Sequence, residues 1–508
     1  MSPDIAAAPD LPAEEISSLR QRVGLVMGPL ILLIMLVLPP PEGLEPAGWR
    51  TAAVALLMAI WWITEAIPIP ATALLPLMLL PIVGAGDIVT AATPYANPVI
   101  FLFMGGFMVA QAMQRWGLHR RIALAVIRAV GTRPRPLIGG FMLASAFLSM
   151  WVSNTATAVM MLPIGLSVIQ LVVQCEEGPD RSPGDSNVAV ALMLGIAYAC
   201  SVGGLGTLIG TPPNALLAGF MLETYGVEIG FGQWMLLGVP IVLVGLPLTW
   251  LMLTRWIYPV RIQEIPGSRE AIEQEAHSLG RPGRGERIVA VVFVATAIAW
   301  IFRPVLEQWI PGISDPGIAI AAALLLFALP VDLSRGIFVL NWSWARRLPW
   351  DVLVLFGGGL SLAAAITSTG LAGWIGASLA GVQGLHVALI IGVVALVIIF
   401  LTELTSNTAT AAAFLPLLAS LAIGIGENPL LLAVPAALAA SCAFMMPVAT
   451  PPNAIVYGSG FVTIPQMARA GFVLNLLFIV LITGAGYGLV MVVFGVSAGT
   501  LPEWAAIP

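Results

Sequence analysis

One polar motif occurs twice in this chain and limits what the chain can fold into. Residues 153–163 read Ser-Asn-Thr-Ala-Thr-Ala-Val-Met-Met-Leu-Pro, and residues 406–416 read Ser-Asn-Thr-Ala-Thr-Ala-Ala-Ala-Phe-Leu-Pro. Each copy is followed by Thr-Pro-Pro-Asn-Ala, at 211–215 and at 450–454. Polar tripeptides and paired prolines are unusual in such apolar surroundings, so their repetition indicates two related half-sites that face one ligand.

The rest of the chain is too apolar for a water-soluble protein. The 508 residues are 59% hydrophobic and only 9% charged, whereas soluble domains have about 25% charged residues. We therefore expect an all-α polytopic membrane protein in contact with the lipid bilayer, with no nucleic-acid partner. The three cysteines and three histidines are scattered, which is typical of neither a disulfide framework nor a transition-metal site.

Apolar runs of about membrane-spanning length predict eleven transmembrane helices. These runs lie at 24–38, 50–68, 70–86, 97–116, 188–222, 233–258, 288–303, 316–330, 350–369, 430–458 and 472–495. A signal peptide is the alternative interpretation of the first run. Pro39-Pro40-Pro41 follows it in place of a small-x-small cleavage site, so a retained first span is favoured.

Two further apolar stretches, 137–173 and 387–425, carry the Ser-Asn-Thr motifs near their middles. We interpret both as re-entrant hairpins that enter and leave on the same side of the membrane. With a cytoplasmic N-terminus, this arrangement places every arginine except Arg50 and Arg303 on or near the cytoplasmic side, in a chain without lysine. That distribution obeys the positive-inside rule. It predicts a multi-pass protein of the plasma (inner) membrane, with the C-terminus outside.

The register of the motifs predicts an internal repeat. Ser153 and Ser406 are 253 positions apart, and the same offset pairs Phe103 with Phe356. The Thr-Pro-Pro motifs are 239 apart, and the polar insert 175–187 accounts for the extra length of the first half. Since the first repeat starts outside and the second inside, the repeats are inverted, as in secondary transporters with broken helices at mid-membrane.

These assignments divide the chain into five segments. The predicted order is an N-terminal cytoplasmic segment with the first span (1–49), a first inverted repeat (50–258), a polar cytoplasmic linker (259–287), a second inverted repeat (288–495) and a C-terminal tail (496–508).

The Ser-Asn-Thr motifs suit the tips of the hairpins. Irregular backbone at membrane depth must be buried in protein or line a cavity, and Ser, Asn and Thr are preferred helix caps. Each tip can therefore begin the returning helix with its N–H groups exposed, which favours an anion. Simple capping is the alternative for a single copy, and two copies in register favour the anion site.

The Thr-Pro-Pro motifs suit a cation. Proline lacks a hydrogen-bond donor and clashes with the carbonyl four residues back, which frees backbone carbonyls as hard oxygen ligands. No arginine lies beside any of the four motifs in the sequence. A dianion bound there needs a co-bound cation to offset its charge, so ion coupling is expected. A packed proline kink is the alternative interpretation of each motif alone.

Acidic residues in the spans are functional candidates by default. Glu403 precedes Ser406 by three positions, and it either supports the hairpin tip or relays protons. Glu65 is placed at the cytoplasmic end of its helix, where a structural role is favoured. Asp351 is placed at a membrane interface.

Together with Trp-Trp-Ile-Thr-Glu-Ala-Ile-Pro-Ile-Pro at 61–70, the four motifs resemble those of the divalent anion/sodium symporter family. The resemblance covers about 50–495. It implies a homodimer in which a mobile transport domain moves like an elevator against a scaffold domain. It implies a C4-dicarboxylate-type substrate bound by Ser153, Asn154, Thr155, Thr211, Pro212, Ser406, Asn407, Thr408, Thr450 and Pro451.

The resemblance also implies two sodium sites. One comprises Ser149, Asn154 and the Gly210 carbonyl. The other comprises Thr402, Asn407 and the Ala449 carbonyl. Ser149 and Thr402 are themselves 253 positions apart, so a hydroxyl occurs at the same place in both repeats.

The sequence thus favours a sodium-coupled symporter of C4-dicarboxylates such as succinate, malate or fumarate, with no organic cofactor. A sodium-independent dicarboxylate exchanger and a sodium-coupled sulfate or tricarboxylate carrier stay open as alternatives. A membrane enzyme is disfavoured because no histidine lies near any motif. A passive anion channel is disfavoured because inverted broken helices are typical of alternating access.

Overall fold

The computed structural model describes residues 19–505 except 132, 176–185, 263 and 379–384. Within these ranges the chain is helical apart from its connections and one antiparallel pair of short strands, β1 (Pro330–Asp332) and β2 (Ile337–Phe338). The polar insert 175–187 lies mostly outside the described residues.

The described residues of the first part of the chain, through the predicted linker, form thirteen helices. They are α1 (Leu19–Val37), α2 (Pro46–Thr64), α3 (Ile69–Thr72), α4 (Leu75–Val83), α5 (Ile88–Ala92), α6 (Pro98–Arg115), α7 (Leu118–Val130), α8 (Pro134–Ser149), α9 (Asn154–Cys175), α10 (Asn187–Gly204), α11 (Pro212–Tyr225), α12 (Phe231–Leu251) and α13 (Ser268–Ser278). A 3₁₀ turn, Thr93–Ala96, precedes α6, and a π-helical turn, Met252–Ile257, extends α12.

The described residues of the second part form twelve helices and a short 3₁₀ turn, Glu503–Ala505. They are α14 (Arg284–Ile301), α15 (Arg303–Leu306), α16 (Asp315–Ala328), α17 (Trp342–Ala345), α18 (Trp350–Ser368), α19 (Leu371–Ser378), α20 (Val387–Thr402), α21 (Asn407–Gly424), α22 (Leu430–Ala440), α23 (Pro451–Gly458), α24 (Ile464–Tyr487) and α25 (Leu489–Phe494).

Nine helical segments in the described part are long and apolar enough to cross a bilayer. Four further apolar segments are shorter: Ile69–Val83, Asp315–Ala328, Val387–Thr402 and Leu430–Ala440. The chain is therefore a polytopic all-α membrane protein. The total of eleven spans stays a prediction, since length and composition alone do not decide whether the shorter segments cross.

Both stretches interpreted as hairpins fold as two helices joined by a short turn. In the first, α8 ends at Ser149 and α9 begins at Asn154. In the second, α20 ends at Thr402 and α21 begins at Asn407. The Ser-Asn-Thr motifs therefore begin the returning helices, as the capping preference predicted.

The two Thr-Pro-Pro motifs interrupt their helices, and neither forms the proline kink that was the alternative interpretation. The prolines stand in the first turn of new helices, α11 and α23, where their missing N–H has no intrahelical partner in any case. Irregular segments, 205–211 and 441–450, separate these helices from α10 and α22. The free carbonyls thus belong to the irregular segments, and the expected clash four residues back was wrong.

Several helices were not predicted, and two of them, α7 and α13, join different parts of the chain. α7 follows the span α6, and α13 lies inside the predicted polar linker 259–287. Ion pairs join the two regions, since Arg120 on α7 pairs with Glu275 on α13 and Arg121 pairs with Glu286 on α14. The linker is therefore partly helical and attached to its neighbours.

Close helix packing sets the position of the first hairpin. A side chain at Gly203 of α10 would collide with the backbone of Ala146 on α8, so glycine allows the two helices to approach at this level. The Asn154 end of α9 is thereby held beside the end of α10.

Candidate functional site

A cavity of about 570 Å³ lies where the hairpin tips meet the interruptions of α10–α11 and α22–α23. All ten residues predicted to bind substrate line it, together with Gly210 and Ala449. From the first half these are Ser153, Asn154, Thr155, Thr211 and Pro212; from the second half they are Ser406, Asn407, Thr408, Thr450 and Pro451.

Each hairpin presents the N-terminus of its returning helix to this cavity. Residues 154–156, the first turn of α9, line it, and so do Asn407 and Thr408 of α21. The Ser153 hydroxyl accepts a hydrogen bond from the Ala156 N–H at 3.3 Å, whereas Ser406 makes no such cap. First-turn N–H groups lack intrahelical partners, so the cavity receives two helix ends suited to anions.

Oxygen atoms converge behind the first tip. The Ser149 hydroxyl donates to Oδ1 of Asn154, and that oxygen also faces the carbonyls of Cys200 and Gly210, at 3.2 and 3.3 Å. Two arrangements relieve this crowding: a 180° rotation of the amide, whose orientation is an assignment, or a cation among the oxygens. Ligands at right angles around an ion with metal–oxygen distances of about 2.3–2.6 Å lie about 3.3–3.7 Å apart, which suits a small hard cation.

A second convergence lies behind the other tip. The Thr402 hydroxyl contacts Oδ1 of Asn407 at 2.7 Å and the Ala440 carbonyl at 3.1 Å. Thr402 is fully buried, and Ala449 lines the cavity beside Asn407. The structure therefore brings together the hydroxyl and amide predicted for each sodium site and adds one backbone carbonyl to each, from Cys200 and Ala440.

The irregular segments are closed by matching hydrogen bonds. The Asn214 side-chain amide donates to the carbonyls of Gly204 and Thr207, at 3.1 and 2.8 Å. Asn453 makes the same two bonds, at 3.2 and 3.1 Å, to the carbonyls 239 positions further along the chain. The asparagine of each Thr-Pro-Pro-Asn motif thus fixes the turn that precedes it, a role that the sequence analysis did not assign.

One hydrogen bond joins the two halves at the cavity. The hydroxyls of Thr211 and Ser441 lie 3.1 Å apart, and both side chains are buried. Thr211 follows Gly210, whose carbonyl belongs to the first oxygen cluster. Ser441 follows Ala440, whose carbonyl belongs to the second cluster.

Glu403 supports the second tip. Its buried carboxylate accepts hydrogen bonds from the N–H groups of Phe444, Met445 and Met446, at 2.7–3.1 Å, and from the Asn475 amide at 2.8 Å. The carboxylate thereby joins the hairpin turn to the segment that leads to Ala449. Of the two predicted roles for Glu403, support of the tip matches these contacts.

The part of the cavity wall outside the motifs carries charged and amide side chains. We call it the charged wall; its members are Glu65, Gln111, Gln114, Arg347 and Asp351. Sequence reasoning found no arginine near the motifs, and the fold corrects this, because the α17–α18 connection carries Arg347 to the cavity. Glu65 ends α2 in a left-handed conformation (φ 51°) and pairs with Arg20 at 3.2 Å.

The comparison with protein families agrees with this architecture. The profile described as "Sodium:sulfate symporter transmembrane region" matches residues 19–494.

Relatives of known name match over nearly the whole chain. The sodium-dependent dicarboxylate transporter SdcS of Staphylococcus saprophyticus is 44% identical over 481 residues, which are 94% of this chain and 93% of that protein. The protein of the same name from Staphylococcus aureus is 43% identical over 484 residues, 94% of this chain and 92% of that protein.

Two solved structures share the fold at low sequence identity. Neisseria gonorrhoeae MtrF has a TM-score of 0.58 at 13% identity, over 96% of this chain and 98% of that one. The Alcanivorax borkumensis YdaH transporter has a TM-score of 0.55 at 15% identity, over 89% and 99%. Because the family profile and the relatives both extend over most of its length, the chain belongs to the divalent anion/sodium symporter family, a family of membrane transporters and not of enzymes.

Proposed function

We propose that the protein is a sodium-coupled symporter of C4-dicarboxylates such as succinate, malate and fumarate. The observation that carries the proposal is the pair of hairpin tips that face one cavity, each backed by a cluster of oxygen atoms. The names of the SdcS relatives support the same substrate class and the same coupling ion.

The ten lining residues of the motifs bind the dianion in this proposal. The first-turn N–H groups of α9 and α21 donate to its two carboxylates, and the hydroxyls of Ser153, Thr155, Ser406 and Thr408 add neutral donors. Helix N-termini stabilise bound anions, but they carry only partial charges. A bound dianion therefore needs cations nearby.

Sodium supplies that positive charge. One ion is bound by Ser149, Asn154 and the Gly210 carbonyl, with the Cys200 carbonyl. The other is bound by Thr402, Asn407 and the Ala449 carbonyl, with the Ala440 carbonyl. Asn154 and Asn407 belong both to the ion sites and to the cavity wall, so ion binding fixes the side chains that contact the substrate.

Alternating access follows from the repeat. We propose that the halves 50–258 and 288–495 are inverted repeats, because corresponding side chains make corresponding hydrogen bonds, 253 positions apart in the hairpins and 239 apart at the Thr-Pro-Pro motifs. The two hairpins and broken helices then move as a transport domain by an elevator mechanism against a scaffold, in a homodimer. The arginine distribution supports a cytoplasmic N-terminus and an external C-terminus.

The test is uptake of labelled succinate into proteoliposomes with an inward sodium gradient, and with potassium or choline in its place. We expect saturable uptake only with sodium. Sodium-independent uptake that requires internal dicarboxylate would identify an exchanger. Uptake of sulfate or citrate in place of succinate would identify a carrier of those anions.

The site assignment is tested in the same assay. Asn154→Ala and Asn407→Ala should each abolish uptake, because each removes an ion ligand and a cavity side chain at once. Size-exclusion profiles and thermal unfolding serve as the folding control. Unchanged uptake by both variants would overturn the assignment.

A further inference from the structure

The cavity has more room and more polar groups than the motifs use. Its volume of about 570 Å³ lies within the range of about 300–1,000 Å³ that holds drug-sized ligands. A four-carbon dianion at the hairpin tips leaves space beside the charged wall. This wall is formed by the end of α2, by α6, by the α17–α18 connection and by the first turn of α18, and therefore lies outside both hairpins.

Arg347 is held on the charged wall in a way that leaves its donors free. Its guanidinium carbon lies 4.3 Å from the centre of the Trp344 ring, over the indole, which is a cation–π contact. Such a contact does not use up the hydrogen-bonding capacity of the N–H groups. Those groups form the paired donors that bind a carboxylate in bidentate fashion.

No carboxylate competes for those donors in the part of the chain that the structure describes, where Arg347 forms no ion pair. Glu65 is engaged by Arg20, which also donates to the Leu404 carbonyl at 2.8 Å. Asp351 lies in the first turn of α18, where the helix N-terminus stabilises its charge.

Two amides accompany this arginine. Gln111 and Gln114 lie three positions apart on α6, so they share a helix face, and both line the cavity. Their N–H groups can donate to the same anion that the guanidinium attracts. The wall thus offers a dicarboxylate one full positive charge and neutral donors, a combination that the tips lack.

We propose that Arg347, with Gln111 and Gln114, forms a second carboxylate-binding station, which binds the dianion as it passes between the hairpin tips and the open end of the cavity. The inference rests on the proposed function. On the predicted topology Arg347 lies on the cytoplasmic side, so the station raises the rate at which dianions are captured from that side, while sodium binding depends on the tips alone. Charge attraction of this kind weakens as salt rises.

The test compares sodium-driven succinate uptake by wild type, Arg347→Gln, Arg347→Lys and Arg346→Gln in inside-out membrane vesicles, where the cytoplasmic face of the protein meets the external succinate. Arg346 is the matched control, since it is exposed and adjacent but does not line the cavity. We expect Arg347→Gln to raise KM for succinate about tenfold, the size of a lost charge-assisted pair. The sodium concentration for half-maximal uptake should stay unchanged. Arg347→Lys keeps the positive charge but loses the paired N–H donors, so its KM should lie between those of wild type and Arg347→Gln. Arg346→Gln should have the KM of wild type.

A second readout is ionic strength. Added choline chloride should lower kcat/KM of wild type and Arg346→Gln but leave Arg347→Gln nearly unaffected. If uptake by Arg347→Gln is too low to fit, the succinate-induced rise in Tm in sodium replaces KM, and a rise equal to that of wild type overturns the proposal.

Two outcomes separate this inference from the proposed function. A KM for Arg347→Gln within about twofold of that of Arg346→Gln, with the same salt dependence, overturns the second station. Absence of sodium-dependent succinate uptake by wild type overturns the proposed function itself.

Discussion

At the scale of single residues, the two hairpins differ in one buried pair of side chains beside their turns. The Thr410 hydroxyl lies 2.6 Å from that of Thr405, and both are buried. Thr157 occupies the matching place in the first half, 253 positions earlier, but Val152 stands where the partner threonine would be. Within the described residues the buried Thr157 hydroxyl has no hydrogen-bond partner. The same substitution at the two sites should therefore have opposite effects.

Thr157→Val should raise the free energy of unfolding by about 1 kcal/mol, because it removes an unsatisfied buried hydroxyl without changing side-chain shape. Thr410→Val should lower it by about 1–2 kcal/mol, because it leaves Thr405 with one bond fewer. Thermal unfolding of the two purified variants in detergent measures both. A loss of stability in Thr157→Val would contradict the first expectation.

Glu403 gives a second prediction at this scale. Glu403→Gln replaces an oxygen that accepts backbone N–H bonds with an NH₂ group that cannot accept them, while the N–H groups of Phe444–Met446 stay buried or half-buried. We expect a loss of at least about 2 kcal/mol of stability. The sodium dependence of uptake should also weaken, because the segment leading to Ala449 loses its attachment.

Glu427→Gln is the matched control for Glu403→Gln. Glu427 accepts a single N–H bond, from Gly499 at 2.7 Å, in an exposed setting. Its variant should keep both stability and sodium dependence. Equal stability and equal sodium dependence of the two variants would show that the Glu403 contacts contribute no more than the single bond of Glu427.

The sequence predicted the motif residues, including Asn154 and Asn407, because polar residues are rare in apolar spans. The family resemblance added Ser149, Thr402 and the carbonyls of Gly210 and Ala449. The carbonyls of Cys200 and Ala440 were not predicted, because every residue type supplies the same carbonyl. Arg347 was missed for another reason: its distance from the motifs along the chain says nothing about its distance in the fold.

At the scale of elements, the sequence predicted the hairpins and the helix interruptions, since prolines and Ser-Asn-Thr motifs act locally. It missed α7 and α13 because neither belongs to a long apolar run. α13 is polar and carries Arg269, Glu270, Glu273 and Glu275. Its position depends on ion pairs with other helices, which no local pattern encodes.

The close contact between α8 and α10 at Gly203 gives the prediction at this scale. Gly203→Ala should destabilise the protein and reduce uptake, because the added Cβ meets the Ala146 backbone, which cannot move without shifting α8. Gly484→Ala in α24 is the control, since no atom lies within 4 Å of its added Cβ. That variant should gain about 0.5–1 kcal/mol from helix propensity. Thermal unfolding measures whether each variant gains or loses stability. A stable and active Gly203→Ala variant would contradict the packing argument.

At the scale of the whole molecule, a family profile and relatives of 43–44% identity extend over almost all of the chain. The two solved structures share the fold at 13–15% identity. The architecture therefore tolerates replacement of most side chains. Orientation and repeat inversion are properties of this scale that the sequence predicts through charge and register, whereas the elevator motion is implied by the family resemblance alone.

The hydrogen bond between Thr211 and Ser441 has a consequence for how the molecule responds to ions. Each hydroxyl is one residue from a carbonyl of a different oxygen cluster, so an ion that orders one cluster also orders the neighbour of the other. Such coupling makes sodium binding at the two oxygen clusters cooperative, and the effect of each cluster on the other is equal. We expect the sodium dependence of uptake to be sigmoidal in wild type, and Ser441→Ala to bring the Hill coefficient close to one at similar maximal rate. A Hill coefficient unchanged in Ser441→Ala would mean that the two halves sense sodium independently.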